Sequence, residues 1–341
     1  MGGGIPGRPD TLSKRVYKAM NVIHQHNAIN PWPVPEKTLN TIITSPPYWA
    51  KRDYGHPDQL GQEGTPEGYV RNIVDVFGHA WNALRNDGTL WLNLGDTYMG
   101  GKGKNGASIA YSKHVNAINK KALMTTTPGT IRPNDVPHPT LKAKQLVGIP
   151  WRVALALQAE GWILRDCIIW HKPNCMPESV PDRCTNAYEF LFLFAKQPKY
   201  YFNAKAIREP AIYTNEPGYD GSGFKDARQY SGKNSKNSLI RNSRKPVDKE
   251  YDGMRNKRNV WTIPVANYTG DHFAVFPDEI PYYCIQAGCP PGGIVGDSFM
   301  GVGTTAMVAR MLGMNYWGME LNPKNIEQAN SRIAAKNGLF K

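Results

Sequence analysis

The chain has 341 residues, 40% of them hydrophobic, which excludes a disordered polymer and provides for one large α/β domain or two modest ones. Its 41 Lys and Arg against 28 Asp and Glu leave a formal net charge of +13, pointing to a polyanionic partner. No apolar run reaches the roughly 20 residues of a membrane helix, and the Gly/Pro-rich residues 1–10 carry no apolar signal core, so no membrane association and a cytoplasmic location are expected.

In chain order, residues 39–44 (LNTIIT) predict a short buried strand that stops at Ser45-Pro46-Pro47, because two prolines cannot continue a central ladder. Residues 69–84 place Val70, Ile73, Val74, Phe77, Ala80, Trp81 and Leu84 at helical spacing. Asn86-Asp87-Gly88 predicts a turn into a strand at 89–94. A helix follows at 150–159, with Pro150 in its first turn, then strands at 163–170 and 189–195. The C-terminal part predicts a strand at 293–297, a helix at 304–312, a strand at 315–320 and a helix at 327–335. Strands alternating with helices predict an α/β fold, a mostly parallel sheet with helices on both faces, whose ligands bind beyond the carboxyl ends of the strands.

The charge is unevenly placed. Residues 99–146 and 203–258 carry net charges of +7 and +6, together the whole excess. Both are rich in Gly, Asn, Ser and Pro and read as loops; basic loops on a neutral scaffold suit a cleft that grips phosphates. The five cysteines, Cys167, Cys175, Cys184, Cys284 and Cys289, form no CxxC pair, and no His-rich segment completes a zinc pattern, so no metal site is expected.

Two predicted strand ends carry chemistry. At the second, Asp297-Ser298-Phe299-Met300-Gly301-Val302-Gly303-Thr304 runs from a strand through a Gly-rich turn into a helix. Gly301 and Gly303 let backbone N–H groups approach a ligand, and Glu320 ends the following strand, where an acid accepts hydrogen bonds from both hydroxyls of an adenosine ribose. The glycines alone also fit a dinucleotide fingerprint, but only 35 residues follow Ala306, too few for the catalytic domain of a nicotinamide oxidoreductase. At the first, Thr44-Ser45-Pro46-Pro47-Tyr48-Trp49 sets a hydroxyl before a rigid Pro-Pro pair and aromatics after it. This suits methylation of a base amine, whose lone pair is delocalised into the ring. Acceptors at Ser45 Oγ and the Pro46 carbonyl favour a pyramidal nitrogen, Pro46 and Pro47 fix the carbonyl direction, and Tyr48 can stack on a flipped-out base. Attack through a ring carbon needs a cysteine nucleophile, usually in a Pro-Cys step, and the chain has none.

Together these residues resemble the amino-methyltransferases of DNA in the permuted order called the β class, where the catalytic motif precedes the cofactor motif as Ser45 precedes Asp297. Residues 170–179 (WHKPNCMPES) and 259–264 (NVWTIP) resemble stretches of phage and prophage members, and the resemblance extends over most of the chain. It implies a class I, Rossmann-like fold and S-adenosylmethionine as cofactor, held by Asp297, Phe299, Gly301, Gly303, Thr304, Glu320 and Phe273. The division implied is a catalytic half at 1–202 that includes the basic loop 99–146, a target-recognition region at 203–258, and a cofactor-binding half at 259–341. Double-stranded DNA is the implied substrate; a homodimer and a cognate restriction endonuclease are the partners it allows, in a bacterial or phage-encoded protein. Ser in the Thr-Ser-Pro-Pro-Tyr motif is the form typical of cytosine-N4 enzymes, where adenine-N6 enzymes usually have Asp or Asn. Two departures are Ser298, where the family usually has Pro, and a missing Gly-Asp element near the N-terminus. Cytosine N4 is the expected target; adenine N6 in the same fold, RNA in place of DNA, and a DNA-binding protein without catalysis are the competing functions.

Other residues have two readings. Asp96 either faces the cleft or caps a turn. His171 either contacts DNA or is structural, and Tyr200, Tyr201 and Phe202 either stack on nucleotides or belong to the core. Arg241, Arg244 and Lys245 either touch phosphate or are solvated.

Overall fold

Strand β2, Leu39–Thr44, is apolar or β-branched except at Asn40 and buried at every other position, as a strand covered on both faces must be. The structure, a computed structural model, describes residues 20–100, 132–211, 252–266 and 275–337. Helix α1, Pro66–Ala83, begins where Thr65 accepts the Gly68 N–H through its side chain, with Pro66 in the first turn. Its buried Tyr69, Ile73, Val76, Phe77 and Ala80 form the inward face. The helix starts ahead of the expected residue 69 because cap and proline lie upstream of the first apolar position.

Strand β3, Leu84–Leu94, corrects the predicted turn at Asn86-Asp87-Gly88, which lies inside the strand. Leu39 pairs with Leu84 and Thr41 with Thr89, so the ladder absorbs the extra residues in an irregularity. Gly88 fits there because a Cβ would come within 2.8 Å of the Asn40 carbonyl. Next come α2 (Ile149–Ala159), β4 (Ile163–His171) and β5 (Tyr188–Ala195), close to the predicted bounds. After the short pair β6 (Glu209–Pro210) and β7 (Met254–Arg255) come β8 (Val260–Thr262), α3 (Glu279–Gly288), β9 (Ile294–Asp297), α4 (Thr304–Met311), β10 (Asn315–Glu320) and α5 (Pro323–Asn337). The sequence reading missed β1 (Val22–Gln25), β8 and α3. The strands have four and three residues, too few to establish a period, and α3 carries Pro281 in its first turn.

Among the described residues the main sheet has eight strands in the order β1-β10-β9-β2-β3-β5-β4-β8. Neighbours run parallel except around β5, which is antiparallel to both β3 and β4. One core gathers α1 and α2 over Leu39, Ile42, Leu90, Leu92, Phe192, Phe194 and Trp317. On the other face Gly288 of α3 sits so close to Thr41, Thr89 and Trp91 that a Cβ would come 2.5 Å from Thr89 Oγ1. Chain order thus leaves β9 and β2 adjacent although more than 250 residues apart, with β10 and β1 filling one side and β3 the other. That is a topological switch point, where open α/β sheets leave a crevice.

The chain divides into two compact units, Met1–Asn203 with Arg258–Lys341, and Ala204–Lys257. In the second, Arg208 pairs with Asp252 and Arg255 with Glu209. No described helix is long and apolar enough to cross a membrane. No cluster of three or more His, Cys, Asp or Glu among the described residues is placed to hold a metal.

Candidate active site

The parallel strands β1, β10, β9 and β2 end on one edge, and a cavity of about 810 Å³ opens there. Ser45 and Pro47 line it from the end of β2, Asp297 and the following turn from β9, Glu320 from β10, and His26, Asn27 and Ala28 from the end of β1. The motifs expected to be catalytic and cofactor-binding therefore wall one space.

A direct hydrogen bond joins them. Thr44 Oγ1 donates to Asp297 Oδ1 at 2.6 Å, Phe299 N donates to the same oxygen at 3.0 Å, and Thr305 Oγ1 donates to Oδ2 at 2.7 Å. Asp297 is 1% exposed, and burial pushes its carboxyl up to about 6 despite these hydrogen bonds. It binds strand end, turn and helix start together. Glu320 holds the turn from the other side: Oε2 accepts from Gly301 N at 2.8 Å, and Oε1 from Asn322 N at 2.9 Å and Asn325 Nδ2 at 3.1 Å.

Phe299, Met300, Gly301, Val302 and Thr304 line the cavity. Gly303 is not among the lining residues. It adopts φ +82° with its N–H on the Met300 carbonyl at 2.9 Å, and a Cβ there would meet the Ala329 Cβ at 2.7 Å, so it packs α4 against α5. Phe273 lies outside the described residues, as do Arg241, Arg244 and Lys245.

The Ser45 strand end is braced from several elements. Tyr69 Oη donates to the Pro47 carbonyl at 2.9 Å, and Trp49, 1% exposed, donates Nε1 to the Glu63 carbonyl at 2.8 Å. Pro46 is buried and Ser45 half-buried. Ser45 Oγ donates to Tyr48 Oη at 3.2 Å, and Tyr48 Oη donates to Glu189 Oε2 at 2.7 Å, with Asn93 Oδ1 3.0 Å away. A Cβ at Gly95 would come 2.6 Å from Tyr48 Cε2, so only glycine there admits the ring. Burial and then the neighbouring Glu189 push the Tyr48 phenol well above its usual value, so it stays protonated. Tyr48, expected to stack on a base, has its hydroxyl tied to Ser45, Asn93 and Glu189.

Asp96 is a cap: its carboxylate accepts from Thr97 N at 2.8 Å and from Gly148 N and Ile149 N at 3.0 Å, starting α2, whose own N-cap residue is a glycine. His171 Nδ1 lies 3.2 Å from Thr262 Oγ1, bracing β4 on β8. Tyr200 Oη accepts from Arg165 Nε at 3.0 Å, Tyr201 N donates to the Asp87 carbonyl at 2.8 Å, and the Phe202 ring stacks at 6.3 Å from Trp91. The sequence reading missed the cavity wall at residues 51–60, a polar loop without periodicity, and the group of Asn93, Lys172 and Glu189, which only strand register brings together.

The lining fits a nucleoside-bearing cofactor. Glu320 supplies acceptors for a diol at a strand end, Phe299, Met300, Val302 and Leu321 supply apolar surface, and Gln328 Oε1 is buried with no hydrogen-bond partner among the described residues.

Comparison with known proteins gives a consistent result. A family profile described as DNA methylase, of the N6/N4 type, matches residues 39–331. Type II methyltransferase M.SmaI of Serratia marcescens is 39% identical over 295 residues, covering 86% of this chain and 84% of its own. Type II methyltransferase M.Cfr9I of Citrobacter freundii is 37% identical over 300 residues, covering 88% and 83%. The solved structure of PvuII DNA methyltransferase (cytosine-N4-specific) superposes with a TM-score of 0.53 over 90% of this chain and 86% of that one, at 15% identity, which shows a shared fold.

Proposed function

The chain belongs to the N6/N4 DNA methylase family, and on that footing we propose that it methylates the exocyclic N4 amine of cytosine in double-stranded DNA, with S-adenosylmethionine as methyl donor. The observation that carries this reading is the Thr44 to Asp297 hydrogen bond, which holds the Ser45 strand end beside the turn of the cofactor motif in one cavity.

S-adenosylmethionine, when bound, supplies a methyl group on a positively charged sulfur. Glu320 would take the ribose hydroxyls, Phe299 and Phe273 would meet the apolar parts, and Asp297 and Thr304 with the Gly301 turn would hold the pocket's shape. Gly303 serves through packing. Ser45 Oγ and the Pro46 carbonyl accept the two hydrogens of the cytosine amine, which frees the nitrogen lone pair for in-line attack. Bound S-adenosylmethionine would supply the methyl group to that nitrogen and leave as the neutral thioether, and the methylated nitrogen would give one proton to solvent. No covalent enzyme intermediate is required, and no cysteine lines the cavity. The Ser in place of Asp or Asn before Pro-Pro supports cytosine over adenine, because a hydroxyl is the form typical of cytosine-N4 enzymes. Residues 203–258 are the target-recognition region in this reading. A homodimer and an endonuclease of the same DNA site belong to it as partners; resistance of methylated DNA to that endonuclease would reveal the latter.

The experiment compares Ser45→Ala with the parent protein, using labelled S-adenosylmethionine and unmethylated plasmid DNA. The variant is expected to bind the cofactor normally and lose most turnover, about 100-fold. Undiminished methylation by the variant would overturn the assignment of Ser45.

A further inference from the structure

Proceeding from the methyltransferase reading, we infer that Glu189 is a positioning residue that fixes the Ser45 hydroxyl as a hydrogen-bond acceptor toward the target amine, acting through Tyr48. Methylation asks Ser45 Oγ to present a lone pair, not its proton, to the amine. A free hydroxyl rotates and can present either. Its proton must therefore be engaged elsewhere.

The hydrogen-bond chain settles where. A carboxylate has acceptors only. Glu189 Oε1 takes Lys172 Nζ at 3.1 Å, and Oε2 takes Asn93 Nδ2 at 3.3 Å and Tyr48 Oη at 2.7 Å. Asn93 Nδ2 also donates to the Phe190 carbonyl at 3.1 Å, so the amide orientation is held and Oδ1 faces Tyr48 as a second acceptor. With Glu189 Oε2 and Asn93 Oδ1 both in reach as acceptors, the single phenolic proton is engaged there and not by Ser45. The Tyr48 oxygen then offers a lone pair to the Ser45 proton, over 3.2 Å. What remains on Ser45 Oγ toward the cavity is lone pair. The order of donors thus runs in one direction from Ser45 to Glu189.

The surroundings suit a fixed device. The Lys172 and Glu189 side chains are only 15% and 18% exposed, so water competes little for the carboxylate. Glu189 sits on β5, whose antiparallel pairing with β3 sets Asn93 opposite Leu191 and brings the carboxylate to the Tyr48 hydroxyl. Gly95 provides the space that lets the ring reach it.

The test uses the full-length protein with labelled S-adenosylmethionine and unmethylated plasmid DNA. Glu189→Gln keeps size and shape but can turn an N–H toward Tyr48 and reverse the chain; Tyr48→Phe removes the relay hydroxyl. Each is expected to lower kcat by about 10- to 100-fold, the span of one misdirected hydrogen bond to a developing charge, with KM for DNA and calorimetric cofactor affinity unchanged. The double variant is expected to fall no further than either single one, since both act on the same Ser45 proton. Parent-level kcat in Glu189→Gln, or losses that multiply in the double variant, would overturn the inference. If Glu189→Gln does not fold, Tyr48→Phe alone decides, and parent-level kcat there overturns it. A parent protein that labels no DNA sinks the methyltransferase reading itself, an outcome seen before any variant is compared.

Discussion

Asp297 shows how a residue legible in sequence acquires a different job in structure. Its place at a strand end before a Gly-rich turn marks a cofactor site, yet both its oxygens are spent on Thr44, Phe299 and Thr305. Burial pushes its carboxyl up to about 6, so the folded protein binds this proton more tightly than the unfolded chain, whose carboxyl titrates near 3.8. Its contribution to stability is fully present below about pH 4 and is lost as the pH rises to about 6, on the order of 2–3 kcal/mol. Asp297→Asn should lack that component of the pH slope, measured as urea unfolding midpoints between pH 4 and 7; parallel slopes in parent and variant would show that the group is not perturbed. Asp297→Ala should weaken cofactor binding in calorimetry, and an equal Kd would count against the pocket. Thr44 was not legible as the partner of Asp297, because a threonine in a strand is what β propensity alone predicts. Glu189 was hidden for a related reason: its link to Tyr48 spans 141 positions and depends on register.

At the scale of elements, strongly patterned segments were read nearly to their ends. Leu39–Thr44 and Asn315–Glu320 have the predicted bounds, and α1 starts three residues earlier, at its cap, and ends one residue earlier. The failures share a cause. Strand β1 has four residues and β8 three, and neighbouring strands decide their existence. The Asn86-Asp87-Gly88 turn chemistry was overridden by pairing of Leu84 with Leu39. Because β1 went unread, so did the wall formed by His26, Asn27 and Ala28. Packing between elements gives a sharp prediction at Gly303. Alanine there must adopt φ +82° and press its methyl group to 2.7 Å from Ala329. The two costs together come to about 2–4 kcal/mol. Chemical denaturation should show a loss of that size, and a variant as stable as the parent would mean that α4 and α5 are not packed this way.

For the whole molecule, the order of motifs along the chain and the order of strands in the sheet are two descriptions of one arrangement. The strand that leads to Ser45, near one end of the chain, and the strand that leads to Asp297, near the other, come together because β9 lies between β10 and β2. Alternation of strands and helices was enough to expect a mostly parallel sheet, but not the position of β5, which alone runs against its neighbours. The charge distribution carries a further expectation, since the +13 excess arises in residues 99–146 and 203–258. DNA affinity should fall steeply with salt, and replacing Arg241, Arg244 and Lys245 by Ala should lower the slope of log K against log salt by about 1 per lost phosphate contact. An unchanged slope would place these residues away from the phosphates.

The measurement closest to the chemistry is nucleoside mass spectrometry of DNA labelled by the protein with S-adenosylmethionine. Ser45 in the Thr-Ser-Pro-Pro-Tyr motif calls for N4-methylcytosine as the labelled product. N6-methyladenine in its place would contradict the assignment of the target base.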